Sequence, residues 1–428
     1  MSAEVASTPV RLTDEEQAML GGEGGEATRL AMRILTRMAP LYGATALLPI
    51  TRAHIDGCIY EGEAGLEFAE RLAHLGGRVR VPTSLNVVSL DTRHWRELGT
   101  PADYADKASR LGHAYVRMGA TPTFTCAPYQ TSAAPMFGEQ IAWAESNAVA
   151  FANSVLGART NRYGDYLDIS CALTGRVPAA GLHLDENRLG DVLVRLRDLP
   201  TSLPRRDDFY PVLGYLLGTL VDDEIPVVDG LDAQPTEDQL KAMAAAAATS
   251  GSVALFHIVG VTPEAPTRTA AFGGRTPRRT FDLGLPELRR ARAMLTTAPD
   301  DELDLVAFGS PHCSLAEARA IAALVAGRRA EPGVEVFLTT SRAVRDLLER
   351  GGELDALTAF GAKVTADTCI VVSPLVRQGT RVLMTNSAKY AHYAPGLLGV
   401  HAVFGSTEDC VASAVAGRVL VDDGPWAA

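Results

Sequence analysis

The chain has 428 residues, 47% hydrophobic and 21% charged, the balance of a soluble globular protein too long for one ordinary core. Its net charge of −11 argues against a nucleic-acid partner, which asks for a basic face, and no apolar run approaches the ~20 residues of a membrane span. The first sixteen residues lack the basic and apolar blocks of a signal peptide, and the few cysteines are well separated, so the chain reads as cytoplasmic with reduced thiols.

In chain order, Thr13 followed by Glu16 predicts a capping box that opens a helix. Leu30, Ile34 and Met38 then mark the apolar side of a second helix over about 26–42. From there, short apolar runs alternate with helical patterns. The runs predict strands at 45–50, 79–82, 121–125, 167–171, 225–228, 253–259, 304–308, 334–338, 368–372, 381–384 and 402–404, with a last candidate at 418–421. Helices are predicted at 63–75, 102–118, 138–156, 236–249, 315–327 and 407–415, with an apolar, glycine-containing helix at 209–221. Strands alternating with helices of this length mean βαβ units and an α/β fold with parallel or mixed sheets. Polar, proline-containing stretches at 198–208 and 262–280 divide the chain into expected units of 1–200, 201–290 and 291–428.

The six cysteines, at 58, 126, 171, 313, 369 and 410, form no CxxC or zinc-knuckle spacing. Taken singly, each reads as a small buried apolar residue. Cys126, Cys313 and Cys369 differ in sitting in polar, proline-containing segments beside apolar runs, as residues of a strand-end site do. Further polar segments hold Asp56–Gly62, Thr83-Ser84-Leu85-Asn86 and Glu145-Ser146-Asn147. The last of these stands on a helical pattern whose serines and asparagines imply either polar contact between domains or the lining of a cleft. The segment Thr385–Tyr393 contains Asn386, Ser387, Lys389, Tyr390 and His392. Lysine occurs only at 107, 241, 363 and 389, so one in such a segment stands out. Lysine charge with directional amide and hydroxyl donors suits a carboxylate or phosphate. Soft thiolates beside such a grip fit an iron or iron–sulfur site doing Lewis-acid chemistry.

Gly57-Cys58-Ile59-Tyr60, Pro82–Asn86, Thr125–Tyr129, Trp143–Asn147, Pro311–Ser314 and Thr385–Tyr393 together resemble the large-subunit region of aconitase X, over nearly the whole chain. The resemblance implies an aconitase-like α/β fold with sheets around a central cleft, and a hydro-lyase. Bacterial members are similar to cis-3-hydroxy-L-proline dehydratase, which forms Δ1-pyrroline-2-carboxylate and is associated with a [2Fe–2S] cluster. Archaeal members act on mevalonate 5-phosphate and are associated with a single iron. The family also needs a small swivelling domain, expected here as a separate chain that brings a serine base. Carried over by motif, Cys126, Cys313 and Cys369 are the expected metal ligands, with Cys58, Cys171 and Cys410 outside the set and Cys58 the nearest exception. Lys389 and Ser387 are the expected catalytic pair. Asn386, Tyr390, His392, Thr83, Ser84, Asn86, Glu145 and Asn147 are expected around the substrate. A phosphorylated substrate would call on Arg159, Arg162 or Arg342 as well. The rival of another class is a non-catalytic, metal-binding subunit. On this reading, truncating Lys389 to methionine lowers catalytic efficiency about ten- to a hundred-fold or more and leaves fold and cluster content unchanged.

Overall fold

The computed structural model describes residues 10–427. Thr13 and Glu16 close the expected capping box, each side chain accepting the other's backbone N–H, and helix Asp14–Gly21 follows. It packs on helix Glu26–Met38 at the rim of the first core, which Met32, Leu35, Leu66, Tyr115 and Leu173 fill. Beneath them lies a three-stranded parallel sheet, ordered Thr83–Leu85, Arg52–Ile55, Ile141–Trp143. A small antiparallel pair, Leu47–Pro49 with Arg176–Pro178, flanks it.

A second sheet, entirely parallel, runs in the order His257–Ile258, Pro226–Asp229, Val192–Leu196, Arg279–Leu283. Helices Phe209–Leu220 and Glu237–Ser250 pack beside it at unusually short range. The apolar glycines of the first make this possible: a Cβ at Gly214 would meet the Met243 carbonyl oxygen at 2.2 Å, and one at Gly218 would meet the Ala247 carbonyl oxygen at 2.7 Å. An alanine at either place would force the helices apart. The 262–280 stretch is an excursion within this unit, entering through helix Arg268–Ala271 and ending in the edge strand Arg279–Leu283.

The third sheet has five parallel strands: Ala362–Ala366, Glu335–Thr340, Leu305–Cys313, Val382–Thr385, His401–Phe404. Residues 305–308 are buried on both faces, as their unbroken apolar run requires.

Some expected elements differ. Residues 167–171 lie in helix Leu167–Thr174, eight residues buried on all sides, with Asp168, Ser170 and Thr174 among them. Periodicity cannot separate such a run from a buried strand. Residues 368–372 form turns, and the strand of that region is Ala362–Ala366. The 138–156 helix is a strand, Ile141–Trp143, followed by helix Ser146–Phe151 and a π-helical turn over Ala152–Leu156. No strand forms at 418–421.

His183 shows what burial does to ionisation. Its ring lies between the Gln140 side-chain oxygen Oε1 and the Tyr163 hydroxyl, each 2.5 Å away. Burial, and then Arg188, push its pKa down to about 3 from 6.5. Below pH 6.5 the unfolded chain takes a proton that the folded chain refuses. The stability present above that pH is therefore lost as pH falls toward 3. The stability advantage of wild type over His183→Gln is expected to shrink by about 2 kcal/mol between pH 7.5 and 5. Urea titrations at both pH values measure it; a constant difference would show the ring titrating normally.

Candidate active site

The five-stranded sheet changes direction at its central strand. From Leu305–Cys313 the chain builds outward through Glu335–Thr340 and Ala362–Ala366, then crosses to add Val382–Thr385 and His401–Phe404 on the other side. In an open parallel sheet the loops beyond the carboxyl ends part at such a reversal and leave a crevice. The central strand ends there in Ser310-Pro311-His312-Cys313, and its neighbour runs on into Asn386-Ser387-Ala388-Lys389. The three-stranded sheet is built the same way. Its strands lead at their carboxyl ends into Asp56, Asn86 and, after Ala144, Glu145. The two sets of carboxyl ends meet: Lys389 Nζ donates to Glu145 Oε1 at 2.7 Å, and the His312 backbone N–H donates to Cys126 Sγ at 3.2 Å.

His312 ties the three cysteine segments together. It precedes Cys313, its N–H reaches Cys126 Sγ, and its ring lies between the Thr125 hydroxyl (3.2 Å) and the Thr368 carbonyl oxygen (2.9 Å). Thr125 and Thr368 are the residues before Cys126 and Cys369. Burial lowers the ring's pKa to about 4, which keeps it neutral.

All three thiols are buried, and burial is the main cause that raises each pKa, to about 12 for Cys126. Their segments meet through His312, which precedes Cys313, donates its N–H to Cys126 Sγ and bonds the Thr368 carbonyl beside Cys369. Groups that favour the thiolate stand around them: the His312 N–H and Lys389 at Cys126, Lys241 at Cys313, and the Val371 and Val372 N–H groups with Tyr390 at Cys369. N–H donors and cations aimed at sulfur are what thiolate-bound iron asks of a protein, so the donor chemistry fits. Among the described residues, no three His, Cys, Asp or Glu side chains close around one point as a metal cage. The other cysteines stand apart from this set. Cys58 donates to the Asn86 carbonyl oxygen (3.1 Å), and Cys171 and Cys410 are buried in helices Leu167–Thr174 and Thr407–Ala416.

Lys389 lies one residue inside helix Ala388–Leu397, with its side chain 15% exposed. Burial alone would lower its pKa, but the Glu145 carboxylate and then Cys126 outweigh this and raise it. The ammonium is therefore charged and already holds one carboxylate. Glu145 is equally committed: Oε2 accepts the Ala148 N–H at 2.7 Å and caps helix Ser146–Phe151.

The remaining expected residues divide by their bonds. Ser387 donates its proton to the Ser310 carbonyl and accepts the Tyr390 N–H at 3.1 Å as the helix cap. A hydroxyl so bonded positions the helix and has no proton to give. Asn386 donates to the Thr407 hydroxyl (3.0 Å), and the Tyr390 hydroxyl shares a hydrogen bond with Thr339 (3.1 Å). Asn147 accepts from the Tyr129 hydroxyl (2.7 Å) and donates to the Cys126 carbonyl (3.1 Å), so it shapes the cysteine loop. Thr83 donates to the Val81 carbonyl and Ser84 bonds His54, both at 2.8 Å within the sheet. His392 shares a hydrogen bond with the Tyr215 hydroxyl (3.2 Å) on the second unit. Asn86 remains at the crevice, its amide on Asp56.

Sequence reasoning missed Lys241. It is fully buried beside Cys313, with Nζ bonding Asp238 (2.9 Å), Glu317 and the His312 carbonyl (3.2 Å). Its place on an alanine-rich helix gave no polar signal. Glu317, Lys241, Cys313, Ser310 and Ser387 line a cavity of about 350 Å³. A larger open groove beside Arg292 and Trp426 contains none of this chemistry. Of the three arginines a phosphate would call on, two are engaged by carboxylates. Arg159 pairs with Asp185 (2.7 Å) and Glu264, and Arg342 with Asp91 (2.9 Å) and Asp367, while Arg162 is exposed.

Comparison with known proteins follows the three sheets. Family models described as the first, second and third domains of aconitase X match residues 9–186, 190–293 and 303–416. The chain is 56% identical over 411 residues, 95% of its length and 70% of the relative's, to a cis-3-hydroxy-L-proline dehydratase of Pseudomonas aeruginosa. It is 39% identical to a phosphomevalonate dehydratase large subunit of Methanothermobacter thermautotrophicus, covering 92% of this chain and 96% of that one. A solved aconitase X of Thermococcus kodakaraensis, described as a holo-form, superimposes with a TM-score of 0.85 at 34% identity, over 95% of this chain and 100% of that one.

Proposed function

This chain belongs to the aconitase X family, and from that premise we propose that it is the large chain of a hydro-lyase that converts cis-3-hydroxy-L-proline to Δ1-pyrroline-2-carboxylate and water. The observation that carries the reading is the crevice itself: one charged lysine among carboxyl groups, with Arg159 and Arg342 committed to carboxylates elsewhere. That suits a single substrate carboxylate and gives a phosphate dianion no clamp. The higher identity to the hydroxyproline enzyme than to the phosphomevalonate subunits supports the same choice.

In this reading Lys389 gives one N–H to Glu145 and turns the others to the substrate carboxylate, at the positive end of helix Ala388–Leu397. Ser387 fixes that end, and Asn147 and His312 fix the loop carrying Cys126. Cys126, Cys313 and Cys369 would hold an iron–sulfur cluster of the [2Fe–2S] type, with mononuclear iron the alternative. When bound, such a group supplies Lewis-acid stabilisation to a leaving hydroxyl. The base that removes the Cα proton comes from a small partner chain; similar proteins of the family carry the name large subunit. The enamine first formed tautomerises to the cyclic imine without further help.

Purified anaerobically with its small partner, the chain is expected to dehydrate cis-3-hydroxy-L-proline, and alone to be inactive. Turnover of mevalonate 5-phosphate but not hydroxyproline would overturn the substrate. Equal rates with and without the partner would overturn the division of labour, and no turnover of either would favour a non-catalytic subunit.

A further inference from the structure

One carboxyl group at the crevice has no use in this mechanism. Asp56 follows the central strand of the three-stranded sheet and keeps part of its surface open. Its backbone is fixed, its N–H donating to Asp168 Oδ2 at 2.7 Å. Among the described residues its side chain hydrogen-bonds the amide Nδ2 of Asn86 alone. The groups acting on it most strongly, Glu145, Asp165 and Asp168, are all carboxyl groups, and no cation is among them. Lys389 does not balance it, being engaged by Glu145. The second atom of the same amide, Asn86 Oδ1, is buried with no hydrogen-bond partner, in a residue 2% exposed. A carboxylate without a cation and an acceptor without a donor thus stand side by side. Burial, and then these carboxylates, raise the Asp56 pKa, which is the strain an added cation would relieve.

We propose that Asp56 and Asn86 form the subsite for the substrate's ring ammonium, with Asp56 and Asn86 Oδ1 each accepting one of its two N–H groups. The assignment rests on the hydroxyproline reading and deepens it. A cyclic secondary amine carries two N–H donors when protonated, and the pair offers two acceptors. Lys389 takes the carboxylate of the same zwitterion, so the two ends of the crevice read opposite charges. A phosphorylated alcohol without an amine would leave the Asp56 end uncompensated and be disfavoured there.

Two probes that cannot be dehydrated test the subsite: L-proline, and (S)-tetrahydrofuran-2-carboxylate, in which a ring oxygen replaces the ammonium. Calorimetry uses the iron-loaded chain with its small partner. Wild type is expected to bind L-proline about ten- to a hundred-fold more tightly than the oxygen analogue. Asp56→Asn is expected to abolish that preference while leaving the analogue's affinity within a few-fold of wild type. Asp56→Ser serves if the first variant does not fold. Equal binding of the two probes by wild type overturns the proposal, as does an undiminished preference for proline in a folded variant. A purely structural role for Asp56 predicts that both probes weaken together. Turnover of cis-3-hydroxy-L-proline is read separately on the wild-type sample. Its absence would count against the functional reading, while the probe pair still judges the subsite.

Discussion

Replacing Lys241 by methionine is expected to destabilise the chain by about 3–5 kcal/mol, the usual result of removing one partner from a buried ion pair. The ammonium is enclosed by Asp238, Glu317 and the His312 carbonyl. Burial alone would lower its pKa; Glu317 and Asp238 raise it instead, so it stays charged. Methionine fills most of the space but leaves two carboxylates facing each other with no cation. Asp238 also takes the Ser314 hydroxyl at 2.6 Å, and Glu317 caps the same segment through the Ser314 N–H at 2.8 Å. The loss therefore spreads from helix Glu237–Ser250 to the start of helix Leu315–Val325, directly beside Cys313. Chemical denaturation of the two proteins measures the effect. A change below about 1 kcal/mol, ordinary for a surface site, would mean that the lysine reaches water.

Truncating Lys389 to methionine is expected to do more than lose a substrate contact. The structure buries this lysine on Glu145, so the change removes the cation from a crevice that also holds Asp56 and leaves Glu145 unpaired. Catalytic efficiency is expected to fall about a hundred-fold or more, and stability by about 2–4 kcal/mol. This corrects the expectation from sequence that the fold would be indifferent. The double change Lys389→Met with Glu145→Gln separates the two roles. With no orphaned charge, most of the stability should return, while catalysis stays low. If efficiency is normal in the single variant, Lys389 has no part in the site. If stability is unchanged, the Glu145 pair is not the partly buried contact described.

What was legible in the sequence follows from how much each segment reveals of its surroundings. Four of the third unit's five strands were legible as apolar runs spaced between helices, while Ala362–Ala366 was missed and strands were expected instead at 368–372 and 418–421. The strand Arg52–Ile55 was missed: Arg-Ala-His-Ile does alternate polar and apolar, but over only four residues the pattern does not stand out from its surroundings. Asp56 stood in a polar segment picked out from the sequence, but without that strand nothing placed it at the crevice. Residues 368–372 read as a strand from composition. Asp367, however, takes a left-handed conformation, φ 68°, and binds Arg342, which turns the chain before Cys369. Motif resemblance nominated the cysteines, Lys389 and Asn86, since it needs no geometry. It also nominated Ser387, Asn147 and Thr83, whose bonds hold backbone in place. A polar residue that shapes a site and one that touches substrate leave the same mark in a sequence. Only the count of hydrogen bonds already made tells them apart.

The central claim, that thiols from the first and third units hold iron beside Lys389, is tested most directly by iron content. Each of the six cysteines is changed to serine in turn, and iron per folded chain is measured after identical anaerobic loading. The account predicts loss of most iron in Cys126→Ser, Cys313→Ser and Cys369→Ser. It predicts near wild-type content in the variants at Cys58, Cys171 and Cys410. Full iron in any of the first three folded variants, or loss confined to Cys58→Ser, would contradict it.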